Sequence, residues 1–436
     1  MLVSVSILLI AQKKAAPPLS FEERNTAMLA SSEWMNAKSA IRSLVETIEK
    51  NPENIRAKVA LGMAYINESR ASGNHSYYDD AAMQVLDEVL KSDKSNFEAL
   101  CGRATVLLSQ HHFREALDEG NKIVSLNPHN SFGYGVLTDA NIELGNYEAA
   151  VKNADKMVSI RPDLRSYSRI SYLREIFGDY QGAIEAMLMA VESGLPGLEQ
   201  TEWARVYLGK LYEQTGELSI AESLYETSLL FRPHYGYGLA GLGRIAKSKM
   251  NLSKAVKYFN EAKFSLKDYS FSAELAVIYR MKGEHEKAAA ELKECLEELE
   301  GIHGHGSHKH HGHYADRELA MVYLEAYNYS KALKHALTEY NRRPGNIDVN
   351  ATLAWVRYRR GEYAEANKKM DVAMKTKSKN PVLLFRAGLI KAKAGNIAEG
   401  KKLIEQSLAI NKIISPDLKY QAKKIFGKDE LAAALR

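Results

Sequence analysis

A spacing of small and aromatic residues that returns about every 34 residues constrains this chain more than any other feature. It is clearest at Leu208-Gly209, Tyr212, Gly216, Ala221, Tyr225 and Pro233. Degraded copies run upstream through Gly178 and Ala183, Gly145 with Ala150 and Pro162, Ala116 with Pro128, and Leu61-Gly62 with Tyr65 and Ala82. Downstream they run through Leu242-Gly243 with Ala255, Gly283 with Ala288, Tyr329 with Ala332 and Pro344, Gly361 with Ala366, and Gly388 with Gly395. A period of this length is one supersecondary unit used repeatedly, and such a unit buries its apolar face only against its neighbours.

Each landmark has a physical reason. Gly62, Gly209, Ala276 and Gly388 fall where the two helices of a unit would cross, with Ala150, Ala183, Ala221 and Ala366 facing them. A larger side chain there would push the helices apart. Gly145, Gly178, Gly216, Gly283, Gly361 and Gly395 suit a left-handed helix end between the two helices. Prolines close second helices, and apolar residues recur at three and four between the turns. The sequence predicts an all-α, right-handed superhelical solenoid of about eleven helix–turn–helix units over 21–414, with 415–436 as a C-terminal cap. Arg70 to Ser76 reads as a lengthened turn, Gly194 to Gly197 as a short loop, and 301–313 as the largest insertion.

Two cysteines exclude a disulfide framework. Cys101 and Cys295 lie about six units apart, a separation that reads as too large for contact, so both are expected to be free thiols. The net charge of +5 hides an asymmetry. From Ile347 to Arg436 there are 19 Lys/Arg and 9 Asp/Glu, a net of +10, which leaves −5 for the rest. The C-terminal lysines Lys419, Lys423 and Lys424 read first as a solvated face. Segment 1–20 opens with an apolar run, Met1 to Ala11, too short to span a bilayer. It resembles the apolar core of a secretory signal ending at Ala11, although no basic residue precedes it, and export is expected ahead of a cytoplasmic location.

Chemistry-bearing patterns are few. Gly236-Tyr237-Gly238-Leu239-Ala240-Gly241 has dinucleotide-loop spacing but sits inside a helix, so its glycines read as close-packing positions. His285-Glu286 lacks the second histidine of a zinc-protease helix, and no phosphate loop, nucleophile elbow or nucleic-acid module appears, so an enzyme is not expected. His303, His305, His308, His310, His311 and His313 crowd the insertion, and imidazoles there suit Ni, Zn, Cu or Co. Metal handling through that tract is the alternative to the main reading, and no other cofactor is expected. The main reading is a binding scaffold whose concave groove is lined by first helices. Its expected partner-facing residues are Tyr172, Glu175, Trp203, Lys210, Arg244, Lys247, Arg280, Arg317, Trp355, Tyr358 and Arg359. Arg244, Arg280 and Arg317 are expected along one wall, which favours a protein or peptide of acidic character. The sequence carries no signal for oligomeric state.

With these residues in view, the chain resembles the tetratricopeptide-repeat superfamily. Arg165 to Glu175 and Leu384-Phe385-Arg386-Ala387-Gly388 are similar to bacterial multi-repeat members of uncharacterised function. The resemblance implies an interaction scaffold and no activity. Members that hold a chaperone's C-terminal carboxylate use Lys and Asn at set groove positions. Here the matching positions hold Asp139, Tyr172, Lys210, Arg244 and Trp355, so that binding mode is not expected.

Overall fold

The computed structural model describes residues 21, 22, 24, 32–304 and 312–427, apart from the side chains of 32, 34 and 302–304. Segment 1–20, most of the histidine tract and the last nine residues of the expected cap lie outside the described residues. Within them all regular structure is α-helical. After α1 (Ser32–Lys50) come ten helix pairs. The first five are α2 and α3 (Ile55–Ser72, His75–Ser92), α4 and α5 (Phe97–Ser109, Phe113–Leu126), α6 and α7 (Ser131–Leu144, Tyr147–Ile160), α8 and α9 (Leu164–Ile176, Tyr180–Glu192), and α10 and α11 (Glu199–Gln214, Leu218–Phe231). The next five are α12 and α13 (Gly236–Ser248, Leu252–Ser265), α14 and α15 (Tyr269–Met281, His285–Gly304), α16 and α17 (Asp316–Glu325, Tyr329–Arg342), α18 and α19 (Ile347–Arg359, Tyr363–Ala373), and α20 and α21 (Pro381–Lys393, Ile397–Ile410). The cap is a lone helix, α22 (Pro416–Phe426). The expected first unit is represented by α1 alone, in the place of a second helix, so ten complete units are seen among the described residues where about eleven were expected.

The sequence starts and stops these helices by name. Asn54, Asn96, Asn346 and Asn380 each accept a bond from the backbone N–H three residues on, and Asp163 closes a reciprocal capping box with Ser166. All ten turns within pairs place a left-handed residue two positions before the second helix. Glycine supplies it seven times, at 73, 145, 178, 216, 283, 361 and 395. His111, Met250 and Tyr327 supply it otherwise, with φ of 63°, 58° and 59°. At the helix crossing, a Cβ on Gly209 would lie 2.5 Å from the fully buried Tyr225 ring, and one on Gly388 2.6 Å from the Gly400 carbonyl. The small-residue expectation is met there, and Gly238 and Gly241 likewise pack against Ser228 and Tyr225.

First helices of neighbouring units touch one another: α2 with α4, α4 with α6, α6 with α8, α8 with α10, α10 with α12, α16 with α18, α18 with α20, and α20 with α22. Among the described residues no two second helices pack comparably. First helices therefore form the inner wall and second helices the outer one.

The superhelix closes on itself, which the 34-residue period does not announce. The Lys267 amide donates to the Ser72 carbonyl at 3.4 Å, and the Tyr314 amide to the Gln110 carbonyl at 3.1 Å. Asn346 Nδ2 donates to the Glu143 carbonyl at 3.0 Å, and Asn411 Nδ2 to the Glu213 carbonyl at 2.9 Å. Gly178 lies against the Lys377 carbonyl. In each case a turn within a pair meets a loop between pairs about 200 residues later, so about six units complete one superhelical turn. The premise that parts six units apart cannot meet is thereby corrected. Cys101 and Cys295 are nonetheless free and buried, each in a separate apolar cluster. The expected long turn at Arg70 to Ser76 is also corrected. The extra residues extend α2 and α3 to 18 residues each, leaving only Gly73 and Asn74 between them. No helix among the described residues is long and apolar enough to cross a membrane.

Candidate functional site

The inner wall carries the expected groove residues other than Trp355 and Tyr358, with a different charge state from the one expected. On α8 and α10, Tyr207 Oη donates to Glu175 Oε2 at 2.7 Å, and its ring lies 5.3 Å from Trp203 and 5.1 Å from the Lys210 ammonium. Tyr172 is half-buried. Burial pushes its hydroxyl well above the ordinary tyrosine range, and the carboxylates of Asp348 and Glu143 push it further. Asp348 opens α18 and Glu143 lies near the end of α6, so residues of both superhelical turns face Tyr172.

The cations are mostly spoken for. Arg244 Nε donates to Glu213 Oε2 at 3.0 Å and its Nη2 to Tyr225 Oη at 3.1 Å. Burial works against its charge, but Glu213, Tyr225 and Glu274 together outweigh burial and hold the guanidinium protonated. Lys247 pairs with Glu274 at 2.5 Å, Arg280 with both the carboxylate and the backbone carbonyl of Glu325, and Arg317 with Glu318 at 3.5 Å. The expected wall of Arg244, Arg280 and Arg317 is therefore a set of internal ion pairs rather than free positive charge. Among the described residues Lys210 and Arg359 carry no such pair; Arg359 lies 6.0 Å from the Tyr329 ring centre.

Trp355 and Tyr358 are corrections. They are 2% and 7% exposed, stacked on each other at 4.9 Å, and belong to the largest apolar cluster. The helical period places core and lumen positions only one residue apart, and at α18 the core takes both rings. Sequence reading missed Arg386. It lies two residues before the crossing glycine Gly388, the offset at which Tyr207 precedes Gly209 and reaches the lumen. That shared offset was the available signal.

The histidine insertion meets the first superhelical turn at its far end. His111 Nδ1 lies 2.9 Å from the Tyr314 carbonyl and His112 Nε2 2.9 Å from the Gly312 carbonyl. The His313 ring sits 4.3 Å from His111, and Tyr314 stacks on His112 at 4.1 Å. Burial and the neighbouring His111 push the His313 imidazole down to about 3. His303 lies in the last turn of α15, while His305, His308, His310 and His311 lie outside the described residues. Among the described residues no group of three metal-binding side chains converges. Beside this junction a cavity of about 1530 Å³ opens between α3 and α15, bordered by Asp79, Asp87, Asp268 and Glu298.

No family model matches the chain, and no curated protein matches it. Solved structures do. The APC/C hetero-tetramer Cut9–Hcn1 is 16% identical over 74% of this chain and 59% of that chain, with a TM-score of 0.48. The human IFIT1 dimer with PPP-AAAA is 14% identical over 86% of this chain and 88% of that one, at 0.47. A tetratricopeptide repeat protein from Parabacteroides merdae is 17% identical over 59% of this chain and 94% of that one, at 0.43. The chain thus spans 59% of the length of the Cut9–Hcn1 chain. These are likenesses of repeat architecture; the helix pairing above carries the fold.

Proposed function

We propose that this tetratricopeptide-repeat superhelix is a non-catalytic scaffold that holds an extended segment of a partner protein against its inner wall. The observation that supports the reading is the convergence on the inner wall, where Tyr207 joins Trp203, Lys210 and Glu175, and charged groups of both superhelical turns act on Tyr172. Rigid aromatic and guanidinium groups on a preformed concave surface are what a peptide can bury at low entropic cost. Because the superhelix is closed by contacts every unit along its seam, the segment enters from an end rather than sideways. An acidic segment suits Lys210 and Arg359, which lack an ion pair among the described residues; Arg244, Arg280 and Arg317 have carboxylates already.

The test is binding of the wild-type chain and of the double variant Lys210→Glu, Arg359→Glu to a set of fluorescent peptides of graded acidity. The reading expects acidic peptides to bind and the variant to lose them with an unchanged melting temperature. Weaker binding only at low salt after reversal of Lys419, Lys423 and Lys424 would mark long-range steering by the basic cap. Full loss there, with binding retained by the lumen variant, moves the site to the C-terminal end. Export of the chain is a separate proposal, tested by the N-terminal sequence of secreted material. Metal handling is tested by Ni and Zn calorimetry on a chain lacking 303–313; undiminished binding refutes it.

A further inference from the structure

Beside Lys210 and Arg359, one further lumenal cation carries no ion pair among the described residues. Arg386, on α20, is half-buried, and its Nε is fully buried without a hydrogen-bond partner. Its guanidinium lies 4.7 Å over the Trp355 ring. No carboxylate stands within ion-pair reach among the described residues. Glu325 is the acid whose field reaches it, and Glu325 is already bonded to Arg280. Burial lowers the Arg386 guanidinium to about 10, and the nearby Arg359 works in the same direction. Arg386 on α20 and Arg359 on α18 thus lie near each other with no ion pair among the described residues, while Arg280 on α14 already neutralises the one carboxylate that acts on Arg386, which leaves two uncompensated positive charges.

The rings beside them matter as much as the charges. Arg359 lies 6.0 Å from Tyr329 and Arg386 4.7 Å from Trp355. A guanidinium held near an aromatic ring keeps its N–H edge available for a planar fork of bonds to an oxyanion. A half-buried cation with no counter-ion carries a standing desolvation cost. Packing could remove that cost with a methionine, since the Trp355 contact needs only an unbranched stem. The retained charge therefore points to a ligand that supplies the missing anion.

We infer that Arg386 and Arg359 form an oxyanion site in the lumen, suited to a phosphoryl dianion. A dianion matches the excess of two charges, whereas a single carboxylate leaves one uncompensated. Inorganic phosphate and a phosphorylated serine or threonine side chain share this chemistry. The site goes beyond the scaffold reading and stands whether or not a protein partner occupies the rest of the lumen.

Calorimetry of the full chain in phosphate-free buffer tests it, with inorganic phosphate, O-phosphoserine and acetate as probes. The wild type is expected to bind phosphate saturably and acetate at least about tenfold more weakly. Arg386→Met is expected to lose phosphate binding by about tenfold or more. Arg359→Met gives the same reading should the first variant fail to fold. Tighter binding of phosphoserine than of phosphate assigns the site to a modified side chain; the reverse order assigns it to the free ion. Acetate binding as tight as phosphate, phosphate binding unchanged in the variants, or no saturable binding to folded wild type would each overturn the inference.

Discussion

Gly145 and Gly361 occupy the same place in their units and share a φ of 83°, yet only one of them meets a second superhelical turn. Alanine at either position carries the same local cost. A left-handed alanine loses about 1–2 kcal/mol, partly offset by the smaller entropy of its unfolded chain, for a net of about 1 kcal/mol. At Gly361 a Cβ meets nothing within 4 Å, so the effect ends there. At Gly145 it would stand 2.3 Å from the carbonyl of Gly345, so the adjoining turn must move away. That movement strips the bonds from Asn346 Nδ2 to the Glu143 carbonyl and from the Ile347 amide to Tyr147 Oη, each 3.0 Å long. At about 1 kcal/mol per bond, Gly145→Ala should cost about 2 kcal/mol more than Gly361→Ala. Thermal melts measure the total, and hydrogen exchange over 142–147 and 343–350 measures the opening of the seam. A repeat array need not melt in one step, so the exchange data decide. Equal effects of the two substitutions, with no faster exchange at the seam in Gly145→Ala, would refute the closed superhelix.

Three further outcomes are expected. Met250 is left-handed and 63% exposed, so Met250→Gly should stabilise α12–α13 by about 0.5–1 kcal/mol, read as slower exchange there. Gly209→Leu should lower the melting temperature through a loss of about 1–3 kcal/mol, because Tyr225 is fully buried and anchored by Glu213 and Arg244 and cannot yield; an unchanged melt refutes the crossing. His313 titrates at about 3 when folded and near 6.5 when unfolded, so the unfolded chain holds the extra proton between those values. Stability present above about pH 6.5 is then lost as pH falls, by about 1 kcal/mol between pH 7 and 5.5. His75 acts in the opposite sense: burial alone would lower it, but its bond to Asp79 raises it. Comparison of wild type with His313→Gln isolates the His313 part, and identical pH profiles would refute it.

Much of this fold is local in origin, and local features can be read from a sequence. The pairing of Gly209 with Tyr225 and the left-handed glycines at 145, 178 and 216 lie within one unit of about 34 residues. The period, the helix boundaries and the inner-wall identity of Tyr172, Trp203, Lys210 and Arg244 follow from it. The site was legible as a list of inward positions, because the helical period assigns faces. It was not legible as a charge pattern. Whether Arg244 is free depends on Glu213, which lies on the preceding first helix, and no local rule pairs them. Trp355 and Tyr358 show the same limit, since one residue of helical phase separates lumen from core.

Only the tertiary structure decided that the solenoid closes. Closure depends on small rotations between units that add up over six of them, and no single unit encodes the sum. The amino-acid pattern gives Gly145 and Gly361 one role, a left-handed helix end; three dimensions give Gly145 a second, as the point where one turn rests on the next. The same closure sets the far end of the insertion, Gly312, His313 and Tyr314, on His111 and His112, some 200 residues away. The sequence determined the repeating unit because each unit is held by contacts a few tens of residues long; the superhelix, and the chemistry of its interior, came from contacts that only the accumulated rotation brings together.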